Sequence, residues 1–271
     1  MSGTLYICAT PIGNMEDITL RVLRVLKECD AVACEDTRHS AVLLRHYDIH
    51  KPLLSYHEHN EQQRSEQLLE RLAAGENIAL LSDAGMPCIS DPGYIAVKKA
   101  RERGFPVTVL PGANAGLCAL VLSGMRCDRF VFEGFLPKTG KERRQRLEEL
   151  AKEERTVILH ESPHRLENTL EELFQVLGDR EAALARELTK LHEECILFSL
   201  SRWRDAVENL RGEFVLILAG KQQAAETSFV SPREQVAALI AQGIEKKVAI
   251  KQVAQRMGVP KNDVYMEVTD L

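Results

Sequence analysis

Ten short apolar runs, separated by amphipathic stretches or polar turns, constrain this chain more than any other feature. From Leu5 to Ala219 they read LYICA, AVACE, PLLSY, IALLS, VTVLP, FVFEGF, TVILH, AALARE, CILFSL and FVLILAG. Apolar runs of about four to eight residues bounded by turn signals read as strands, and their alternation with helical patterns specifies an α/β fold. At 271 residues with 45% hydrophobic side chains, the chain buries a sizeable core and is long enough for two domains.

Punctuation divides the chain further. Asp91-Pro92 and Ser162-Pro163 each set a capping residue before a proline at the first helical position, and Thr139 with Glu142 and Asn60 with Gln63 read as capping boxes. After Ser162, the residues Leu166, Leu170, Leu173, Phe174 and Leu177 fall on one helical stripe and read as core. The segment GFLPKTG, Gly134 to Gly140, interrupts the pattern and puts one α/β domain at 1–134 and a second at 135–221. A polar, aperiodic break at 220–231 precedes Ser231-Pro232-Arg233-Glu234, which combines a capping box with proline at N1. Residues 231–271 then read as a small helical domain whose last two helices, joined through Met257-Gly258-Val259-Pro260, resemble a helix-turn-helix.

Composition removes several function classes. No run approaches the roughly 18 apolar residues of a membrane span, and no basic segment leads into an apolar one at the N-terminus, so a cytosolic protein is expected. Seven scattered cysteines with no Cys-x-x-Cys pair argue against a disulfide framework and a zinc site and read as buried thiols. The net charge of -5 confines any nucleic-acid contact to local patches. Lys138, Lys141, Arg143, Arg144 and Arg146 against Glu142 make one such patch; the tail from Ser231 is close to neutral and a weaker arm. No G-x-G-x-x-G occurs, and five residues rather than four part Gly134 from Gly140-Lys141, with Glu142 following, so dinucleotide and P-loop readings fall away.

Three loops end apolar runs and carry the chemistry. Ser82 to Gly93, SDAGMPCISDPG, packs two aspartates, two prolines and two glycines into a connection longer than the usual two to six or so residues. Asp83 is placed there to accept from hydroxyls. Thr10 to Asn14 and Pro111 to Gly116 are built alike, and if their runs are neighbouring parallel strands, all three converge on one crevice at the carboxyl edge of the sheet. Polar sets at other strand ends pair acids with bases: Glu35-Asp36-Thr37-Arg38, Glu161 to Arg165, and Arg186 to Glu193. Such pairs deprotonate a hydroxyl, hold a phosphate, or serve as structural ion pairs.

In order along the chain, the motifs TPIGN, EDTR, SDAGMPCISDPG, PGANA, FEGFLP, ESPHR and RELTKLHEE resemble those of the tetrapyrrole-methylase superfamily and, within it, of the ribosomal RNA small subunit methyltransferase I family. The resemblance runs from about Leu5 to Gly220, and the tail resembles the helical domain that family appends. It implies two α/β domains flanking S-adenosylmethionine, no metal, a cytoplasmic homodimer, and 2′-O-methylation of a cytidine in the decoding centre of small-subunit ribosomal RNA. Matched position by position, Ser82, Asp83, Ala84, Met86, Pro87, Asn114 and Ala115 would line the cofactor, and Ile12, Glu161 and Leu188 would close it. Ala113 and Asn114 stand where that family commonly has Pro and Ser, so an amide replaces a hydroxyl. In-line attack by a ribose oxygen needs a proton acceptor. Glu35, Asp36, His164 and Glu187 are the candidates, with Arg38, Arg165 and Lys190 as phosphate or carboxylate partners. The competing readings are a methyltransferase of the same fold acting on a tetrapyrrole or a protein side chain, and a non-catalytic RNA-binding maturation factor.

Overall fold

In the computed structural model, which describes residues 2–207, 212, 214–221, 231–241, 243–257 and 259–268, all ten apolar runs form strands. The chain divides into two compact units, Met1–Lys221 and Gln222–Leu271.

The first unit holds two sheets. Strands β1 (Leu5–Cys8), β2 (Ala31–Cys34), β3 (Leu53–Ser55), β4 (Ile78–Leu81) and β5 (Val107–Leu110) form a wholly parallel sheet in the order β3-β2-β4-β1-β5. Helices α1 (Leu20–Glu28), α2 (Thr37–His46), α3 (Glu61–Ala73), α4 (Tyr94–Glu102) and α5 (Ala115–Leu122) connect the strands and follow the last of them. Because α1 and α2 cover one face and α3 and α4 the other, β2 and β4 are buried along their whole length. That double burial is why they read as continuous apolar runs rather than alternating ones.

Strands β6 (Phe130–Phe135), β7 (Thr156–Glu161), β8 (Glu181–Arg186), β9 (Glu194–Ser199) and β10 (Phe214–Leu218) form the second sheet, in the order β6-β7-β10-β8-β9. Only β6 and β7, linked through α6 (Gly140–Leu150), are parallel; β10 runs antiparallel between β7 and β8. Helix α7 (Pro163–Leu177) seats Leu166, Leu170 and Leu173 in the core with Phe174 and Leu177 against it, the stripe its sequence predicts, and the short α8 (Trp203–Ala206) adds Trp203. Helix α5 joins the sheets. Its Ala119 and Leu120 pack with Ile158, Ala183, Val215 and Ile217 of the second sheet, alongside Ile12 and Leu188.

Three local expectations need correcting. The segment Gly134 to Gly140 is not a clean break: β6 continues through Phe135 and pairs with β7, so residues 130–134, read as the end of the first domain, belong to the second sheet. Helix α4 begins at Tyr94 after Gly93, not at Asp91-Pro92, because Cys88 and Ser90 take left-handed conformations (φ 73° and 65°) that redirect the chain. Asn60 and Thr139 precede their helices but make no side-chain cap; the Asn60 amide turns to His57 and Ser55 instead.

In the second unit, α9 (Pro232–Ala241), α10 (Lys246–Met257) and α11 (Lys261–Glu267) enclose Val236, Ile250, Val253 and Val264. The expected capping box forms: Ser231 N donates to Glu234 Oε2 at 2.8 Å, and Glu234 N donates to Ser231 Oγ at 3.2 Å. Most of the polar break read at 220–231, from 222 to 230, lies outside the described residues, as does Gly258 of the expected turn. Among the described residues no helix is long and apolar enough to cross a membrane.

Candidate active site

β4, β1 and β5 are adjacent and parallel, so the three loops singled out in the sequence leave one edge of the sheet together. Two of them are stitched to each other. Thr10 N donates to the Gly85 carbonyl at 2.8 Å, Gly85 N returns to the Thr10 carbonyl at 3.1 Å, and Thr10 Oγ donates to the Ser82 carbonyl at 3.2 Å. Gly13 meets the second sheet so closely that a β-carbon there would lie 2.8 Å from Thr189 Oγ and 2.9 Å from the Leu188 carbonyl. Only glycine allows that approach.

Between these loops and the second sheet lies a cavity of about 350 Å³. Ile12, Ala84, Gly85, Met86, Asn114 and Ala115 form one wall; Phe135, His160, Glu161, Leu188 and Val215 form the other. Seven of the ten residues expected to line the cofactor are here: Ile12, Ala84, Met86, Asn114, Ala115, Glu161 and Leu188. The other three, Ser82, Asp83 and Pro87, do not line it. Ser82 is buried and donates to the Gly85 carbonyl at 3.1 Å, which shapes the loop, and Pro87 is buried behind it. Asp83 accepts from Asp36 N at 3.2 Å, tying the ends of β2 and β4 together. Asn114 Oδ1 caps α5 by accepting from Leu117 N at 2.9 Å, leaving its amide nitrogen for a ligand.

The second wall is set by a β-bulge. Pairing shifts between Phe132 and Gly134, where φ is 70°, so Phe132 lies opposite Ile158 and Phe135 opposite His160. Both phenyl rings therefore meet the imidazole edge-on, at 5.3 and 5.5 Å between centroids. Burial lowers the His160 pKa, and its Nε2 is buried without a partner. Glu161, 3% exposed, is fully engaged: it accepts from Ser162 N at 2.8 Å and Thr169 Oγ at 2.6 Å, and Arg165 Nε lies 3.3 Å away.

One corner is acidic. Asp91, which the sequence reading made a helix cap, lines the cavity, and burial, then Glu35 and Asp83, push its pKa up to about 7. Glu35 is raised as well, by burial first and then by Asp83 and Glu58. A largely apolar cavity with Asp91 on its wall at one end, Glu35 and Asp83 near enough to raise it, an orphaned imidazole nitrogen and backbone groups for hydrogen bonding fits a molecule with a positive centre beside a neutral, polar-edged body. S-adenosylmethionine has that form.

Other expected residues are occupied elsewhere. None of Glu35, Asp36, His164 and Glu187 lines the cavity. Asp36 caps α2 and binds Arg38, with Nη2–Oδ2 at 3.1 Å; Glu187 pairs with Lys190 at 3.2 Å; His164 is exposed on the first turn of α7. Arg165 also donates to the Leu136 carbonyl at 2.8 Å. In the basic patch, Arg143 is not a surface cation: 6% exposed, it binds Glu172, Thr169 and the Pro137 carbonyl. Arg146 pairs with Glu133 and Glu149. Lys138, Lys141 and Arg144 remain exposed, and Lys138 and Arg144 line a groove of about 540 Å³ between α6 and α7. Sequence reasoning missed Asp91, Phe135 and His160, although Asp91 stood inside the longest loop and His160 directly before ESPHR.

The family model of the Tetrapyrrole (Corrin/Porphyrin) Methylases matches residues 4–204. The ribosomal RNA small subunit methyltransferase I of Halalkalibacterium halodurans is 48% identical over 272 residues, spanning 97% of this chain and 93% of that protein. The protein of that name from Haemophilus influenzae is 46% identical across 98% of this chain and 96% of its own length. The one from Thermotoga maritima, 46% identical over 222 residues, is spanned completely by 81% of this chain. Among solved structures, the uroporphyrin-III C-methyl transferase of Thermus thermophilus complexed with S-adenyl homocysteine is similar with a TM-score of 0.59, at 21% identity over 80% of this chain and 97% of that one. A diphthine synthase gives 0.63 at 16% identity, over 80% and 90%. Likenesses at such identity speak for the fold, and the long, close sequence matches carry the assignment: the chain belongs to the tetrapyrrole (corrin/porphyrin) methylase family, in the branch whose members are named ribosomal RNA small subunit methyltransferase I.

Proposed function

We propose that the protein is a cytoplasmic S-adenosylmethionine-dependent methyltransferase that modifies the ribose 2′-oxygen of a cytidine in the decoding centre of small-subunit ribosomal RNA. The observation that carries the reading is the cavity with an acidic corner, formed where three strand-end loops meet the second sheet. The names of the relatives supply the class of acceptor.

When bound, S-adenosylmethionine supplies an electrophilic methyl group on a positively charged sulfur. Asp91, with Glu35 and Asp83 behind it, favours positive charge at its end of the cavity. Ile12, Met86 and Leu188 exclude water, while Asn114, Ala115 and the loop at Ala84 offer polar groups to the remainder. Glu161 acts at one remove by fixing Ser162 and Arg165. Among the expected proton acceptors, Asp36 and Glu187 are paired with cations and His164 stands on the surface, which favours Glu35, beside the acidic corner, as the proton acceptor. The reaction as proposed needs no metal.

Lys138, Lys141 and Arg144 are proposed as contacts to RNA phosphates, and the C-terminal helices as a second RNA-binding element. A homodimer is part of the same proposal, supported by apolar side chains exposed on α5, among them Leu117, Val121 and Leu122. The test is transfer of labelled methyl from S-adenosylmethionine to small subunits purified from cells lacking this gene, followed by nuclease mapping. Label on a ribose 2′-oxygen supports the reading. Cofactor binding without transfer to RNA overturns it and turns attention to tetrapyrroles and protein side chains.

A further inference from the structure

The cofactor cavity uses the loops after β4, β1 and β5, but the same sheet edge continues to β2 and β3. Glu35 follows β2, and the segment Tyr56-His57-Glu58-His59-Asn60 follows β3. Glu35 links the two parts, since it raises Asp91 of the cavity wall and is itself influenced by Asp83, Glu58, His57 and Asp36. The residues past β3 therefore stand beside the reaction centre, on the side the cofactor loops do not fill.

The His57 ring is held there as one tautomer. Its backbone N–H donates to Asn60 Oδ1 at 2.9 Å, which fixes the amide with the oxygen toward that N–H. The Asn60 amide nitrogen, a donor only, then faces the Ser55 carbonyl at 3.4 Å and His57 Nε2 at 2.9 Å. Nε2 must accept, so the neutral ring carries its proton on Nδ1. That Nδ1 is buried and has no partner. A buried donor without an acceptor is costly, and a three-residue network of Ser55, His57 and Asn60 that enforces this cost is a built feature.

We propose that His57 is a further substrate-binding residue, whose Nδ1–H donates to an oxygen of the ribose-phosphate backbone of the acceptor nucleotide and holds its hydroxyl toward Glu35. A neutral donor suits the position. Glu35, which His57 influences, would pair directly with a cation there, whereas a neutral N–H stays available for the nucleotide. Asn60 acts through His57 as the positioning residue. This inference rests on the RNA reading above.

Two substitutions test it in the full-length protein on small subunits at saturating cofactor. His57→Phe keeps a ring and removes the donor. Asn60→Gly removes the amide and so releases the tautomer. His57→Phe is expected to lower kcat/KM for subunits by at least tenfold while cofactor affinity stays within about twofold, which also shows that the fold survives, and Asn60→Gly should fall between His57→Phe and the parent. Parental kcat/KM in His57→Phe overturns the inference, as does a loss traced wholly to cofactor binding. A parent protein that transfers no methyl to subunits instead overturns the RNA reading itself.

Discussion

Asp91 shows how one side chain changes meaning between sequence and structure. Before a proline, aspartate is a good helix cap, and nothing local signals otherwise; only the left-handed turns at Cys88 and Ser90 carry it into the cavity. Its pKa, raised from 3.8 to about 7 by burial and by Glu35 and Asp83, yields a signed prediction. Between those values the folded protein holds a proton that the unfolded chain has released, so stability without ligand declines as pH rises through that window and levels off above it. A cationic ligand does the reverse, because it binds the ionised carboxyl. Cofactor affinity should therefore weaken as pH falls below about 7, and binding near pH 7 should release protons, read by calorimetry in two buffers of different ionisation enthalpy. Asp91→Asn should weaken binding roughly tenfold or more, the scale of one charge-assisted hydrogen bond of about 1.5–3 kcal/mol, and flatten the pH response. An affinity constant from pH 6 to 8 in the parent would place the cation elsewhere. His160 was hidden for a related reason: as the fifth residue of a buried strand it reads as filler, and the bulge that sets Phe132 and Phe135 around it is a pairing event between strands.

Elements were more legible than the contacts between them. A 3.6-residue period identified the α7 stripe, and short apolar runs bounded by turn signals identified the strands, because both signals lie within a single segment. The basic patch on α6 shows the limit. Five cations look alike in the sequence, yet Arg143 faces inward to Glu172, Thr169 and Pro137, whereas Arg144 and Lys138 border a groove. The two kinds separate by experiment. Arg143→Ala should destabilise the protein by about 1–3 kcal/mol in chemical denaturation, since it leaves buried acceptors unpaired. Arg144→Ala and Lys138→Ala should leave the midpoint unchanged, weaken binding to small-subunit RNA, and each reduce the salt dependence of that binding by about one counterion. Equal effects of Arg143 and Arg144 on RNA affinity at unchanged stability would remove the structural role assigned to Arg143.

For the molecule as a whole, the α/β class follows from the order of runs, but the way the lobes join does not. Helix α5 follows β5 in the chain yet packs on the second sheet, so the apparent boundary after the first domain is an interior seam. The outer face of α5 stays apolar, with Val121 75% exposed. Val121→Glu should shift the protein from dimer to monomer in light scattering if that face joins two copies, and a dimer unchanged by it would move the interface off α5. The C-terminal helices pose the opposite case. Their core of Val236, Ile250, Val253 and Val264 is their own, and residues 222–271 separate from the rest as a compact unit. Among the described residues the cavity is lined by residues between 12 and 215, and the relative from Thermotoga maritima is matched over its full length by 81% of this chain. Residues 1–221 alone should therefore fold and bind S-adenosylmethionine with affinity within about threefold of the full chain, since no wall of the cavity is removed. If the helices hold RNA, methyl transfer to subunits by this shortened protein should lose in KM while kcat persists. A fall in cofactor affinity of tenfold or more would instead mean that the helices support the cavity, and their role would be structural rather than in recognition.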